Sequence, residues 1–144
     1  MIVVDTGILS LSFRRKRRDL SAEEQRKVYA LEGLFKTGVA ALLGPIRQEL
    51  LSGVDREEVF ERLRARLSVV PDLPLDTEMH VLAASFYNRC CARGVTAGDI
   101  DMMICAAAWS YEAEIFSGDA DFERYAACLP IRLYRWDRGS NGKR

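Results

Sequence analysis

Short apolar runs alternate along this chain with longer stretches of helical period, and that alternation narrows the fold more than any single motif. Runs at 2–5, 39–43, 68–71, 114–117 and 131–134 read as strands, and the segments between them as amphipathic or apolar helices. Strand–helix–strand succession predicts a three-layer α/β/α fold, with a mostly parallel sheet of about five strands covered by helices on both faces. The first run, Ile2-Val3-Val4, is continuous and β-branched, as a strand buried on both faces should be.

Local signals set several boundaries. Ser21-Ala22-Glu23-Glu24 has the S-x-x-E form of a capping box, ahead of a helix over 22–37 that buries Val28, Leu31, Leu34 and Phe35 and stops at Gly38. Gly44-Pro45 opens the next helix with proline at its first position, and Asp55 is placed to cap another. A long helix over 75–93 presents Met79, Leu82, Ala83, Phe86, Tyr87 and Cys90 on one face. From Ile100 to Tyr111 the chain is apolar nearly all round, which predicts a core helix with Trp109 and Tyr111 in the interior. Residues 1–137 are expected to form one domain and 138–144 a flexible tail.

The composition excludes some classes of function. With 144 residues, 49% apolar and 29% charged, the chain is long enough for one real core and too apolar for disorder. Lys+Arg and Asp+Glu both count 21, so no global field draws in a polyanion, and any nucleic acid must be held by a local patch. The densest such patch is Arg14-Arg15-Lys16-Arg17-Arg18, which reads equally well as a solvated loop. Cys90, Cys91, Cys105 and Cys128 form no C-x-x-C pair and read as buried, reduced thiols of a cytoplasmic protein. The opening residues lack the charged and apolar regions of a signal peptide, and no apolar run nears the ~20 residues of a membrane span.

The chemistry lies in the acids. Asp5 ends the first strand, Glu49 rides the helix after the second, Asp101 falls in the first turn of the core helix, and Asp119 follows the fourth strand. Such positions converge at one edge of an α/β sheet, where these folds bind ligands. Carboxylates brought together without a cation repel and raise one another's pKa, so the pattern reads as a site for a hard, oxygen-ligated divalent ion. Asp99 reads first as a cap of the core helix. Two residues apart on a helix, Asp99 and Asp101 face nearly opposite ways, and Asp101 is the better ligand because no solvated stretch follows it. The single histidine, His80, lies in the long helix and is not placed as a general base.

Taken in order, Asp5-Thr6 after an apolar strand, Glu49-Leu50, Asp101-x-x-Ile104-x-Ala106 and Ser117-x-Asp119-x-Asp121-Phe122 resemble the four acidic motifs of PIN domains, and more narrowly those of VapC-type toxins. The resemblance runs to about Tyr134. It implies an endoribonuclease dependent on Mg²⁺ or Mn²⁺, with Asp5, Glu49, Asp101 and Asp119 holding the ion. Asp121 would assist through water or by orienting Asp119, and Thr6, Ser117 and Asp99 would stand behind the ligands. It further implies a cognate antitoxin, an RNA substrate, a homodimer and no membrane. The basic run 14–18 would then contact RNA or the antitoxin. Ser117 and Gly118 depart from the pattern, many relatives having Thr and a larger polar residue there.

Two alternatives are weighed. A haloacid-dehalogenase-like phosphatase would need a second Asp two residues after Asp5, where Gly7 stands, and a downstream Lys, whereas none lies between Lys36 and Lys143. A PIN-like fold kept only for binding RNA or protein would be expected to have lost acids, and none is missing.

Overall fold

In a computed structural model the described residues are 1–140, with side chains described through Arg138. The elements are β1 (Ile2–Val4), α1 (Thr6–Phe13), α2 (Ala22–Thr37), β2 (Ala40–Ala41), α3 (Gly44–Leu51), α4 (Glu57–Leu67), α5 (Thr77–Ala92), α6 (Asp99–Ser110), β3 (Glu114–Phe116), α7 (Asp121–Cys128) and β4 (Arg132–Leu133). Short 3-10 turns cover Arg17–Asp19 and Trp136–Ser140. The sheet is wholly parallel in the order β2-β1-β3-β4, so β1 is central and its end looks onto the loops after its neighbours. Ile2, Val3 and Val4 are all buried, as the unbroken apolar run requires.

The sheet has four strands among the described residues, not five. The expected strand at 68–71 is reduced to a single parallel bridge between Leu42 and Asp72. α4 runs on to Leu67, so residues 68–70 are spent leaving the helix, and Pro71 has no N–H to give a ladder. Arg47 of α3 fixes this stretch instead. Its guanidinium donates to both carboxylate oxygens of Asp72 and to the carbonyls of Leu67 (2.9 Å) and Val70 (2.7 Å).

Helix ends follow local chemistry. Ser21 and Glu24 make the full reciprocal capping box of α2, and Gly38 closes that helix at φ 69°, a conformation only glycine adopts freely. Asp76 caps α5 by accepting from the Met79 N–H at 2.9 Å. The expected cap at Asp55 does not form. Arg56 occupies that position without a side-chain capping bond, and Glu57 and Glu58 face the helix dipole.

α6 is the buried axis of the molecule: Met102 to Ala108 are all buried, and it packs on α5, β1 and β3. The buried stretch stops three residues earlier than expected, since Trp109 is 50% exposed and Tyr111 is half-buried, its hydroxyl donating to the Pro74 carbonyl. All four cysteines are free, yet only Cys90 and Cys105 are buried; Cys91 is exposed and Cys128 intermediate. Of the expected tail, 138–140 belong to the last 3-10 turn and 141–144 lie outside the described residues. Among the described residues no helix is long and apolar enough to cross a membrane.

Candidate metal centre

The end of β1 starts the site. Val4 is locked in the sheet, so Asp5 leaves it at the sheet edge and caps α1, its Oδ1 accepting from the Thr6 N–H at 2.8 Å. β3 runs parallel beside β1 and delivers Ser117 to the same edge, where its hydroxyl donates to Asp5 Oδ2 at 2.8 Å. The same hydroxyl oxygen accepts from the Asp119 N–H at 3.1 Å, which sets the start of the loop to α7. From α3, Glu49 reaches Thr6, whose hydroxyl donates to Oε2 at 2.9 Å.

Asp101 enters from the first turn of α6, and the Tyr125 hydroxyl of α7 donates to its Oδ2 at 2.9 Å. Asp119 Oδ1 accepts from the Asp121 N–H at 2.9 Å, and the Asp121 carboxylate pairs with Arg124. Asp101, Asp119 and Asp121 each offer an oxygen within 4.8 Å of the others. Asp5, Glu49, Asp101 and Asp119 line one open cavity of ≈ 710 Å³, together with Thr6 and Lys27.

Burial, more than mutual repulsion, raises the Asp5 carboxyl above the usual range; the bonds from Ser117 and Thr6 pull it down, and Asp101 and Glu49 push it up. Burial likewise leads for Asp101, opposed by Tyr125 and reinforced by Asp119, Asp121 and Glu49. The donors are carboxylate oxygens with no histidine or thiolate among them. That set suits a small hard cation, which would offset the negative charge gathered there.

The acids expected to meet do meet. Asp121, expected to orient Asp119, does so through its backbone N–H and also belongs to the tight trio. Asp99, expected behind the ligands, lies elsewhere: it lines a separate groove with His80, Tyr87 and Asn88, on the side of α6 that the two-residue offset dictates. Gly98, not Asp99, caps α6.

The basic run divides. Arg15 pairs with Glu24 at 2.8 Å and Arg17 with Glu32 at 3.0 Å, Lys16 and Arg18 are exposed, and Arg14 lines a ≈ 420 Å³ groove between α1 and α4. Sequence reasoning missed Tyr125 and Lys27. Tyr125 carries no linear signal beyond its place in an amphipathic helix, and Lys27 sits among other charges on the polar side of α2.

Comparison with known proteins agrees with this fold. The family model described as "PIN domain" matches residues 2–127, and the chain belongs to that family. No match is found among curated proteins. The FitAcB structure from Neisseria gonorrhoeae superposes with TM-score 0.72 at 19% identity, over 94% of this chain and 98% of that one. VapBC2 from Rickettsia felis, solved bound to a promoter DNA fragment, gives 0.72 at 19%, over 95% and 100%. DNA-bound VapBC from Salmonella typhimurium gives 0.67 at 19%, over 94% and 97%. At such identities the likeness establishes the fold.

Proposed function

We propose that this protein is a metal-dependent endoribonuclease and the toxin of a toxin–antitoxin pair, at work in the cytoplasm. The observation that carries the reading is the convergence of Asp5, Glu49, Asp101 and Asp119 on one cavity, with Asp121 beside them. Asp101, Asp119 and Asp5 would hold Mg²⁺ or Mn²⁺, with Glu49 and Asp121 completing the set. Bound there, the ion would neutralise charge on the phosphate oxygens and acidify the attacking water. The chain's own residues prepare that role. Ser117 and Thr6 aim the Asp5 and Glu49 carboxylates, Tyr125 aims Asp101, and the Asp121 N–H aims Asp119. In the hydrolysis a water oxygen bonds to phosphorus, one P–O ester bond breaks, and the leaving oxygen takes up a proton.

The toxin assignment draws on fold relatives solved as VapBC assemblies and as a toxin–antitoxin complex from Klebsiella pneumoniae. An antitoxin would be accommodated on the groove where Phe13 lies among Arg14, Arg62 and Arg66, an apolar floor with a cationic rim suited to an acidic amphipathic segment. A homodimer would join two cups into one channel for single-stranded RNA.

The test is cleavage of single-stranded RNA by the purified, antitoxin-free protein in Mg²⁺ or Mn²⁺, beside Asp5→Asn and Asp119→Asn. Activity in the parent that both substitutions abolish is the expected result. A parent that binds no divalent ion, or variants that cut as well as it does, would leave a non-catalytic PIN-like binding module.

A further inference from the structure

One cation stands inside the acidic cavity without joining its carboxylates. Lys27 of α2 lines the cavity, yet among the described residues its ion pair is with Glu23, one turn back, at 3.1 Å. Its side chain is only 15% exposed, whereas Glu23 is 59% exposed on the solvent side. The ammonium lies 5.4 Å from the centre of the Trp136 ring. It also lies 3.6 Å from the point where a β-carbon on Gly118 would sit.

Gly118 separates Ser117, which holds Asp5, from Asp119, so the ammonium stands against the loop that carries the acids. Residue 118 has no side chain to cover it. The aromatic face and the exposed Glu23 hold the lysine stem in place while satisfying its charge weakly. A positive, largely desolvated point charge with donors to spare, fixed at the edge of a cation site, is the complement of a phosphate.

We infer that Lys27 is a substrate-binding residue that grips a backbone phosphate of the RNA next to the one at the acidic cup. The inference rests on the nuclease reading given above. It assigns Lys27 a role in holding the chain and none in holding the metal. As a phosphate contact it is blind to base identity, so its loss should weaken all RNA sequences alike.

The experiment is steady-state cleavage of single-stranded RNA at saturating Mn²⁺ over a range of salt, with the parent, Lys27→Met and Lys27→Arg. Methionine keeps an apolar stem against Trp136 and removes the charge, and thermal melting verifies that the variant folds. One phosphate contact on a single strand contributes a slope of about −0.7 in log–log salt dependence. Lys27→Met should therefore flatten log(kcat/KM) against log[salt] by about 0.7. Counted from a 1 M reference, the loss is about eight-fold at 50 mM salt and about three-fold at 200 mM. It should appear in KM, with kcat little changed, and Lys27→Arg should recover most of it.

Mn²⁺ affinity by calorimetry should be the same in all three proteins. Unchanged kcat/KM and salt slope in Lys27→Met, beside an active parent, overturn the phosphate role and leave the nuclease reading intact. Tighter Mn²⁺ binding with unchanged KM would also overturn it, making Lys27 a counter-charge of the carboxylates. A parent inactive on RNA refutes both readings.

Discussion

Asp101→Asn separates the cost of crowding carboxylates from their use. The oxygens of Asp101, Asp119 and Asp121 lie within 4.8 Å of one another. At that spacing two unit charges repel by about 0.9 kcal/mol in a water-like dielectric and about 3.5 kcal/mol at an effective value near 20. The lower figure applies, because Asp119 is exposed and Asp121 has Arg124 beside it. Relief from two neighbours is then at most about 1.8 kcal/mol, less what Arg124 already offsets at Asp121. Removing the partly buried Asp101 charge adds in the same direction. Against it stands up to about 1 kcal/mol for making the Tyr125 bond neutral instead of charge-assisted. The net gain, near 1 kcal/mol, corresponds to a rise in Tm of about 3 °C in a chain of this length. Calorimetry in chelator should show that rise. Saturating Mn²⁺ should reverse the order: an ion at a hundred times its Kd adds about 2.7 kcal/mol to a native state that binds it, and the variant lacks one donor. A difference of the same sign and size in chelator and in Mn²⁺ would refute the reasoning.

Metal-free stability should fall as pH rises above the ordinary aspartate value of about 4. Asp5 and Asp101 are held above that range, so the folded chain keeps protons that the unfolded chain has released; their contribution is present below the unfolded pKa and lost as pH climbs through the folded ones. Urea midpoints in chelator test this best as the difference between the parent and Asp5→Asn, and a difference that stays flat from about pH 4 to 6.5 contradicts it. Ser117→Ala removes the donor to Asp5 and the acceptor for the Asp119 N–H; we expect a loss of about 1 kcal/mol in urea melts and at least a roughly ten-fold weaker Mn²⁺ affinity by calorimetry. Arg47→Ala frees the linker after α4 from its carbonyl and carboxylate bonds and should cost about 2 kcal/mol in chemical denaturation; a change under about 0.5 kcal/mol would show the linker held by packing alone.

Elements written in local chemistry were legible in the sequence. The capping box at Ser21, the stop at Gly38 and the span 22–37 all hold because each depends on residues within one turn. The acids were legible too, since a parallel strand must release its last residue at the sheet edge, and the two-residue offset of Asp99 and Asp101 told which one faces the cup. What failed depended on neighbours remote in sequence. Ser68-Val69-Val70-Pro71 has strand composition, but α4 runs right up to it and the chain leaving the helix exposes Val69. Trp109 has core spacing, yet half of its surface stays exposed. Lys27 and Tyr125 gain meaning only once α2 and α7 are packed around the loop at Gly118, a placement no run of residues encodes.

The five acids of the site are drawn from positions 5, 49, 101, 119 and 121, and no two of the first three come from the same or adjoining elements. A nascent chain still on the ribosome at residue 100 holds only two of them, and a fragment lacking β1 cannot seat Asp5 at all. If these acids act together as proposed, their pocket exists only in the assembled fold, and cation affinity should track global folding. Truncated products would then lack the hydrolytic centre proposed above, which is completed only when α7 follows its loop.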